Sequence, residues 1–472
     1  MQENLNAEWG MRNGEYGVLN AECGMGNKSE ERKIDCLVTN GTLLTLTQGS
    51  GPILNGTVAI SGNRIIALGP KSEIEKRFEA SKTIDARGGL IMPGLVNAHT
   101  HAPMSLFRGL ADDLPLKVWL EDYIFPAEWK CVDEEFVHWG TLLACAEMIR
   151  SGTTTFADGY FFEERVAQAV SQSGMRAFLA EGILDFPTPD SSSPSQTIIK
   201  IEDFIRIYSD SPLIRPTLFA HSAYTCSPEL LKKCRHVADR FEVPLIIHLS
   251  ETQNEVEEVS KRYGRRPVDH LENLGILSQN LIACHCVWLT ESEMDLLARR
   301  GVRVVHNPES NMKLAAGVAP IPDLLARKVA VGLGTDGCAS NNNLDLFQEM
   351  DSAAKLHKVH RLDPTVMPAN VVLDMATLGG AKVLGMEKEI GSLEVGKKAD
   401  VIILELNRPH LQPVYNLPSH LVYSVTGADV RDVIIDGKLV MENRKLLTLD
   451  EELILKKAAE WRDRIAGAAL RG

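Results

Sequence analysis

The sequence predicts an α/β protein, a (β/α)8 TIM barrel carrying a small β-sandwich built from the two flanks of the chain. Two observations predict the barrel. Eight short apolar runs, at 90–98, 153–157, 175–180, 214–220, 243–247, 280–284, 301–305 and 329–335, alternate with stretches of helical periodicity. Each run delivers a polar or ionisable residue at its carboxyl end: in order His99 with His101, Asp158, Glu181, His221, His248 with Glu251, His285, His306 and Asp336. Chemistry gathered at the carboxyl ends of successive strands is what this fold provides, because its sites lie on that rim. A third observation predicts the sandwich: short β-like runs with Asn-Gly, Gly-Asn and Asp-Gly turns occupy both flanks and not the middle.

The elements follow in order. Residues 1–30 contain an imperfect repeat, Asn6-Ala7-Glu8-Trp9-Gly10-Met11-Arg12-Asn13 and Asn20-Ala21-Glu22-Cys23-Gly24-Met25-Gly26-Asn27. Two copies are too few for a solenoid and offer little to bury, so a disordered extension is expected, with Met25 an alternative start. Residues 34–89 and 389–447 form the composite sandwich, with Asp436-Gly437 closing a hairpin. The barrel spans 90–388. In it, 133–150 is a helix: Val132, Phe136, Trp139, Leu143 and Met148 recur near the helical period and Ser151-Gly152 ends it. Ser191-Ser192-Ser193-Pro194-Ser195 is a loop in the third strand-to-helix connection, where substrate-covering segments lie. A surface helix over 448–472 ends the chain.

Bulk properties narrow the function. The 472 residues hold a large core at 44% hydrophobic content, and the net charge of -13 argues against nucleic acid as a partner. No run reaches the ~18–20 apolar residues of a membrane span, and the N-terminus lacks a basic-then-apolar leader. Nine scattered cysteines without a CxxC pair read as reduced, and a cytoplasmic protein is expected. Cys284 and Cys286 flank His285, and strand alternation turns them to the face opposite it.

His99 and His101 stand two apart at a strand end, so both imidazoles share one face. Alone this is weak, since 13 histidines in 472 residues give about 0.4 such pairs by chance. His248 and Asp336 end two further apolar strands, and three imidazoles with one carboxylate form a zinc-type ligand set. Glu251 lies three residues beyond His248 on the same rim. Its alternative is a solvated first-turn carboxylate, because Glu255, Glu257 and Glu258 follow closely. Trp119, Tyr123 and Trp129 surround Glu128 and either wall a pocket or pack in the core. His306 and Asn307 either shape the pocket floor or hold a turn. Asp158 reads as structural, and Lys313 has no assigned role.

The chain resembles the amidohydrolase superfamily, and within it the 5'-methylthioadenosine/S-adenosylhomocysteine deaminase family and its chlorohydrolase-like relatives. The resemblance rests on Pro93-Gly94-Leu95-Val96-Asn97-Ala98-His99-Thr100-His101, Pro126-Ala127-Glu128, His248-Leu249-Ser250-Glu251, His306 to Leu314, Gly334-Thr335-Asp336-Gly337, and Gly391 to Asp400. It implies that His99, His101, His248 and Asp336 hold one divalent ion, zinc with iron as the alternative. The fourth strand ends Phe219-Ala220-His221, without the lysine that commonly bridges paired cations in such barrels. It implies further that Glu251 is the proton shuttle and that His285 and Asp336 orient the attacking water. Glu128 would hold the ribose hydroxyls and His221 the nucleoside, with Glu251 and Asp336 also touching substrate.

The implied activity is hydrolysis of an adenosine-type nucleoside (5'-methylthioadenosine, S-adenosylhomocysteine, 5'-deoxyadenosine or adenosine) to its inosine analogue and ammonia. One departure stands out: 182–196 contains no Arg or Lys, where some members place arginines for the homocysteine carboxylate. This points to a neutral 5'-substituent. The alternatives are a guanine or 8-oxopurine deaminase, an s-triazine hydrolase on the same fold, or a catalytically dead scaffold. The expected partners are a small nucleoside or purine-like molecule, with neither nucleic acid nor membrane; a homo-oligomer is left open.

Overall fold

A computed structural model describes residues 19–20 and 32–469. Expectations for 1–30, including the repeat and Met25, lie outside the described residues apart from Leu19–Asn20, a short strand pairing with Ala67 and Leu68.

Eight parallel strands, Leu95–Thr100, Thr153–Tyr160, Arg176–Ile183, Leu218–Ser222, Leu245–Leu249, Leu281–His285, Arg303–His306 and Val331–Leu333, are hydrogen-bonded in chain order. The first and last strands complete the circle beyond their ladders. The Asp336 amide donates to the His99 carbonyl at 3.0 Å. Asn97 fills the remaining gap, accepting from the Thr335 amide at 3.1 Å and donating to its hydroxyl at 2.8 Å. The barrel interior is packed by Val96, Ala98, Phe178, Phe219, Ile246 and Val305 among others, so the barrel is a filled core with its chemistry on top.

Helices cover the outside, and their starts are written in the sequence. Asp133, Ser193, Ser227, Thr252 and Thr290 each accept an amide of the first turn with their side chain. Such a cap is worth about 1 kcal/mol, because it satisfies a donor the helix leaves unpaired.

Two apolar runs turn out to be divided. In 90–98 the break is at Gly94, where any Cβ would collide with Thr154. Leu95–Thr100 enters the barrel, whereas Leu90–Pro93 pairs with Arg32–Leu43 on one side and Val401–Leu404 on the other. In 214–220, Ile214–Pro216 pairs with the lower part of the third barrel strand before Leu218–Ser222 takes the fourth place.

Leu90–Pro93 thereby joins both flanks into one ten-stranded mixed sheet. That sheet curls until Asn63 and Ile65 bond to the backbone of Lys397 and Ala399. Its core draws Val38, Ile60 and Ile65 from one flank and Ile403 and Ile434 from the other. Val430–Ile435 and Lys438–Glu442 form the expected hairpin about Asp436-Gly437, both with positive φ as a two-residue turn of this hand requires.

Arg176, 1% exposed at the start of the third barrel strand, fastens sheet to barrel by donating to Asp400 and to Asp436, the latter at 3.0 Å. Lys398 reaches the same Asp436 at 3.0 Å. The last helix, Glu451–Ala469, sets Trp461 edge-on against Phe136 at 5.4 Å. No helix of the described residues is long and apolar enough to cross a membrane.

Candidate active site

Four strand ends converge on one point above the barrel core. His99 Nε2 lies 3.4 Å and His101 Nε2 3.2 Å from Asp336 Oδ1, and His248 Nε2 lies 3.3 Å from His99 Nε2. Ligands on a tetrahedron with zinc bonds of ~2.0–2.1 Å stand about 3.3–3.4 Å apart. The spacing of these side chains therefore fits a small divalent ion, and so does their chemistry. His285 joins the cluster: ligand-type atoms of His99, His248, His285 and Asp336 all lie within 4.8 Å of one another.

Each group is aimed by its neighbours. His101 Nδ1 donates to the Gly159 carbonyl at 2.6 Å, which fixes the ring with Nε2 toward Asp336. Asp336 sits in a left-handed turn, φ 59°, and its Oδ2 accepts the hydroxyls of Ser310 at 2.7 Å and Ser340 at 3.0 Å. His285 Nδ1 donates to Asn311 Oδ1 at 2.9 Å. Backbone reversal puts His285 in place, with φ 71° there and 52° at Cys286. Alternation along the strand puts Cys284 inside the barrel with Ile282, so the expectation that it lies on the outer face fails. The reversal, not alternation, brings His285 to the cluster, and Cys286 packs outside.

Burial pushes His99 down to about 4 and His221 to about 3, and holds His248 well below the usual imidazole range. Neutral imidazole is the form a metal needs. At His101 burial is outweighed by the hydrogen bond and charge of Asp336, which raise it to about 9. Burial alone would raise Asp336, but the hydrogen bonds from His101 and His99 outweigh it and keep its carboxyl well below the usual range.

The cluster floors an open cavity walled by Trp119, Phe125, Tyr160 and Phe219 among others. Glu251 lines it, half-buried, with its Oε1 3.8 Å from His285 Nδ1. Glu255 positions that residue by accepting the Ser250 and Glu251 amides at 2.9 and 2.7 Å. Across the cavity stands Glu128, whose Oε1 accepts the Tyr160 hydroxyl at 2.7 Å and whose pKa burial raises to about 7. His221 lines the same wall, its Nδ1 2.9 Å from Thr225 Oγ1 and its ring centroid 5.0 Å from that of His248. Trp119 walls the cavity, while Tyr123 and Trp129 do not.

Other strand-end residues stay out of it. Asp158 accepts the Ala102 amide at 2.6 Å and Glu181 the Glu163 amide at 3.0 Å, both structural. His306 faces His357, Nε2 to Nε2 at 3.2 Å, and Asn307 Nδ2 lies 3.3 Å from His285 Nδ1, so neither forms the cavity floor. Lys313 pairs with Asp112. Sequence reasoning missed Tyr160, Glu255, Ser310 and Ser340. The only signal was that Ser310 lies inside the stretch from His306 to Leu314.

Residues 90–440 match the model of the Amidohydrolase family. The chain belongs to that family. Among related amidohydrolases, it is 55% identical over 425 residues to the 5-methylthioadenosine/S-adenosylhomocysteine deaminase of Syntrophobacter fumaroxidans, covering 90% of this chain and 97% of that one. It is 45% identical over 426 residues to the 5'-deoxyadenosine deaminase of Methanosarcina acetivorans, covering 90% and 96%. Among solved structures, a zinc-bound adenosine deaminase from Xanthomonas campestris superposes with a TM-score of 0.91 at 40% identity, covering 93% of this chain and all of that one. The chain thus pairs an amidohydrolase barrel with a four-residue cluster able to hold a metal.

Proposed function

We propose that this protein is a metal-dependent aminohydrolase that converts an adenosine-type nucleoside to its inosine analogue and ammonia. The observation that carries the reading is the opposition, across one cavity, of the His–Asp cluster with Glu251 and the Glu128–Tyr160 pair. One end suits hydrolysis of a ring amidine, the other a ribose. The likeness to deaminases of 5'-methylthioadenosine, S-adenosylhomocysteine and 5'-deoxyadenosine supports it.

His99, His101, His248 and Asp336 would hold a single zinc ion, in keeping with their 3.2–3.4 Å spacing and with the zinc of the solved relative. What such an ion supplies when bound is acidification of water, from a pKa of ~15.7 to roughly 7. The remaining steps belong to the chain. Burial raises the Glu251 pKa, which favours its acid form, and the carboxyl would give a proton to the ring nitrogen beside the amine-bearing carbon. That carbon becomes electrophilic. His285, its Nδ1 proton committed to Asn311, keeps a lone pair at Nε2 with which to orient the attacking water. The Glu251 carboxylate then accepts the proton of that water and passes it to the departing amine; as the C–N bond breaks it takes the remaining hydroxyl proton, which leaves the carbonyl and restores its acid form. Glu128 has one oxygen occupied by Tyr160 and the other left for the ribose hydroxyls, and His221 flanks the nucleoside. The eight described cysteines are all free, which supports a reducing, cytoplasmic setting.

The test is ammonia release by zinc-loaded protein from adenosine, 5'-methylthioadenosine, 5'-deoxyadenosine, S-adenosylhomocysteine, guanine and an aminotriazine. Turnover of the adenosine series is expected. Turnover of guanine or the triazine alone would overturn the assignment.

A further inference from the structure

The central cavity does not end at Glu128. A second, open hollow lies beside it, and Phe125, Glu128, Phe161 and Leu184 line both. At its outer edge Trp129 and Phe186 stand 65% and 42% exposed, and the rings of Phe125 and Phe186 meet edge-on at 6.0 Å. Large aromatics left partly bare around one concavity mark a binding surface. Pro126, Pro187 and Pro189 stiffen the wall, so little is lost in ordering it around a guest. The ionisable groups lining it are Glu121, which pairs with Lys117 at 3.8 Å, and Glu128; no Lys, Arg or His is among the lining residues.

We infer that this hollow is the subsite for the 5'-substituent of the nucleoside, and that it favours apolar thioethers larger than methyl, aromatic ones included, over a zwitterionic amino-acid arm. The inference rests on the deaminase reading, since it takes the base to lie at the histidine cluster and the ribose at Glu128. The 5'-carbon then lies on the side of Glu128 remote from the cluster, where the shared wall opens into the hollow. An α-carboxylate entering there would shed hydration beside Glu128 and a Glu121 already paired with Lys117, with no cation among the lining residues to replace it. A benzyl group would meet the faces and edges of Phe125, Phe186 and Trp129, and gain from each.

The experiment compares kcat/KM for adenosine, 5'-methylthioadenosine, 5'-benzylthio-5'-deoxyadenosine and S-adenosylhomocysteine on the zinc-loaded protein and on two variants, Phe186→Arg and Trp129→Ala. With the native protein the benzylthio compound should equal or exceed the methylthio compound, with S-adenosylhomocysteine about tenfold or more below both. Phe186→Arg should move the ratio of S-adenosylhomocysteine to benzylthio compound by about tenfold toward the former, mainly through KM. Trp129→Ala should raise KM for the benzylthio compound more than for the methylthio compound. Rejection of the benzylthio compound while 5'-methylthioadenosine is turned over would overturn the subsite alone, as would ratios unchanged in both variants. Failure to release ammonia from any of the four would instead overturn the deaminase reading and the subsite with it.

Discussion

Ser310 donates its hydroxyl to Asp336 Oδ2 at 2.7 Å, and this turns Oδ1 toward His99 and His101. Ser340 grips the same oxygen from the other side at 3.0 Å. A carboxylate clamped in this way has one oxygen to offer and one direction in which to offer it. Loss of such outer contacts typically costs ~10–100-fold in metal affinity. The double substitution Ser310→Ala with Ser340→Ala should weaken zinc binding by about that factor, measured by competition with a chromophoric chelator. Unchanged affinity would show that Asp336 is held by its backbone turn alone.

Glu251→Gln should keep stoichiometric zinc, because Glu251 is not one of the proposed ligands. It should lose ~10²–10⁴-fold in kcat, the usual contribution of general acid–base transfer. Metal analysis alongside ammonia release separates the two effects. Near-native turnover would remove Glu251 from the proton path.

Glu128 gives a pH signature. Burial raises its pKa from the ordinary 4.5 to about 7, so it is a neutral acid below neutrality and a carboxylate above. Hydrogen bonds from ribose hydroxyls strengthen when the acceptor is charged. KM for the nucleoside should therefore fall as pH rises through about 7, and Glu128→Gln should abolish that step while raising KM throughout.

Stripping the ion with dipicolinate should end ammonia release, and zinc should restore it. The same treatment should lower the melting temperature, since a ligand held only by the folded state stabilises it by about 2.7 kcal/mol at a hundredfold excess over Kd. Calorimetry with and without zinc reads this directly, and identical melting curves would place the ion elsewhere or nowhere.

The convergence of His99, His101, His248 and Asp336 is legible in the sequence because each follows an apolar run, and hydrophobic periodicity is set locally. Tyr160 is not legible. Its strand runs to Thr153–Tyr160, past Asp158-Gly159, a pair that reads as a turn but here stays extended because the neighbouring strand bonds to it. Nor is the reversal at His285, since a positive φ on a histidine leaves no trace in composition. The hydroxyls of Ser310 and Ser340 meet Asp336 only after the chain has folded. Leu90–Pro93 looks like the first half of a barrel strand, and a single glycine sends it into the other sheet.

Arg176 carries a prediction about stability. Arg176→Met would leave Asp400 without a cation, holding only the Asp436 amide, and Asp436 with Lys398 and Asn63, in a largely buried cluster. Removing one member of a buried ionic group costs ~3–5 kcal/mol. The urea midpoint should fall accordingly, whereas KM of the folded fraction should not change.

The same guanidinium decides how far the enzyme can be taken apart. A barrel excised without its flanks would carry a naked charge at its base and a Leu90–Pro93 stretch stripped of both partner strands. Catalytic exchange between relatives by gene shuffling should therefore succeed only when crossovers move both ends of the gene together, and the smallest working enzyme is nearly the whole of it.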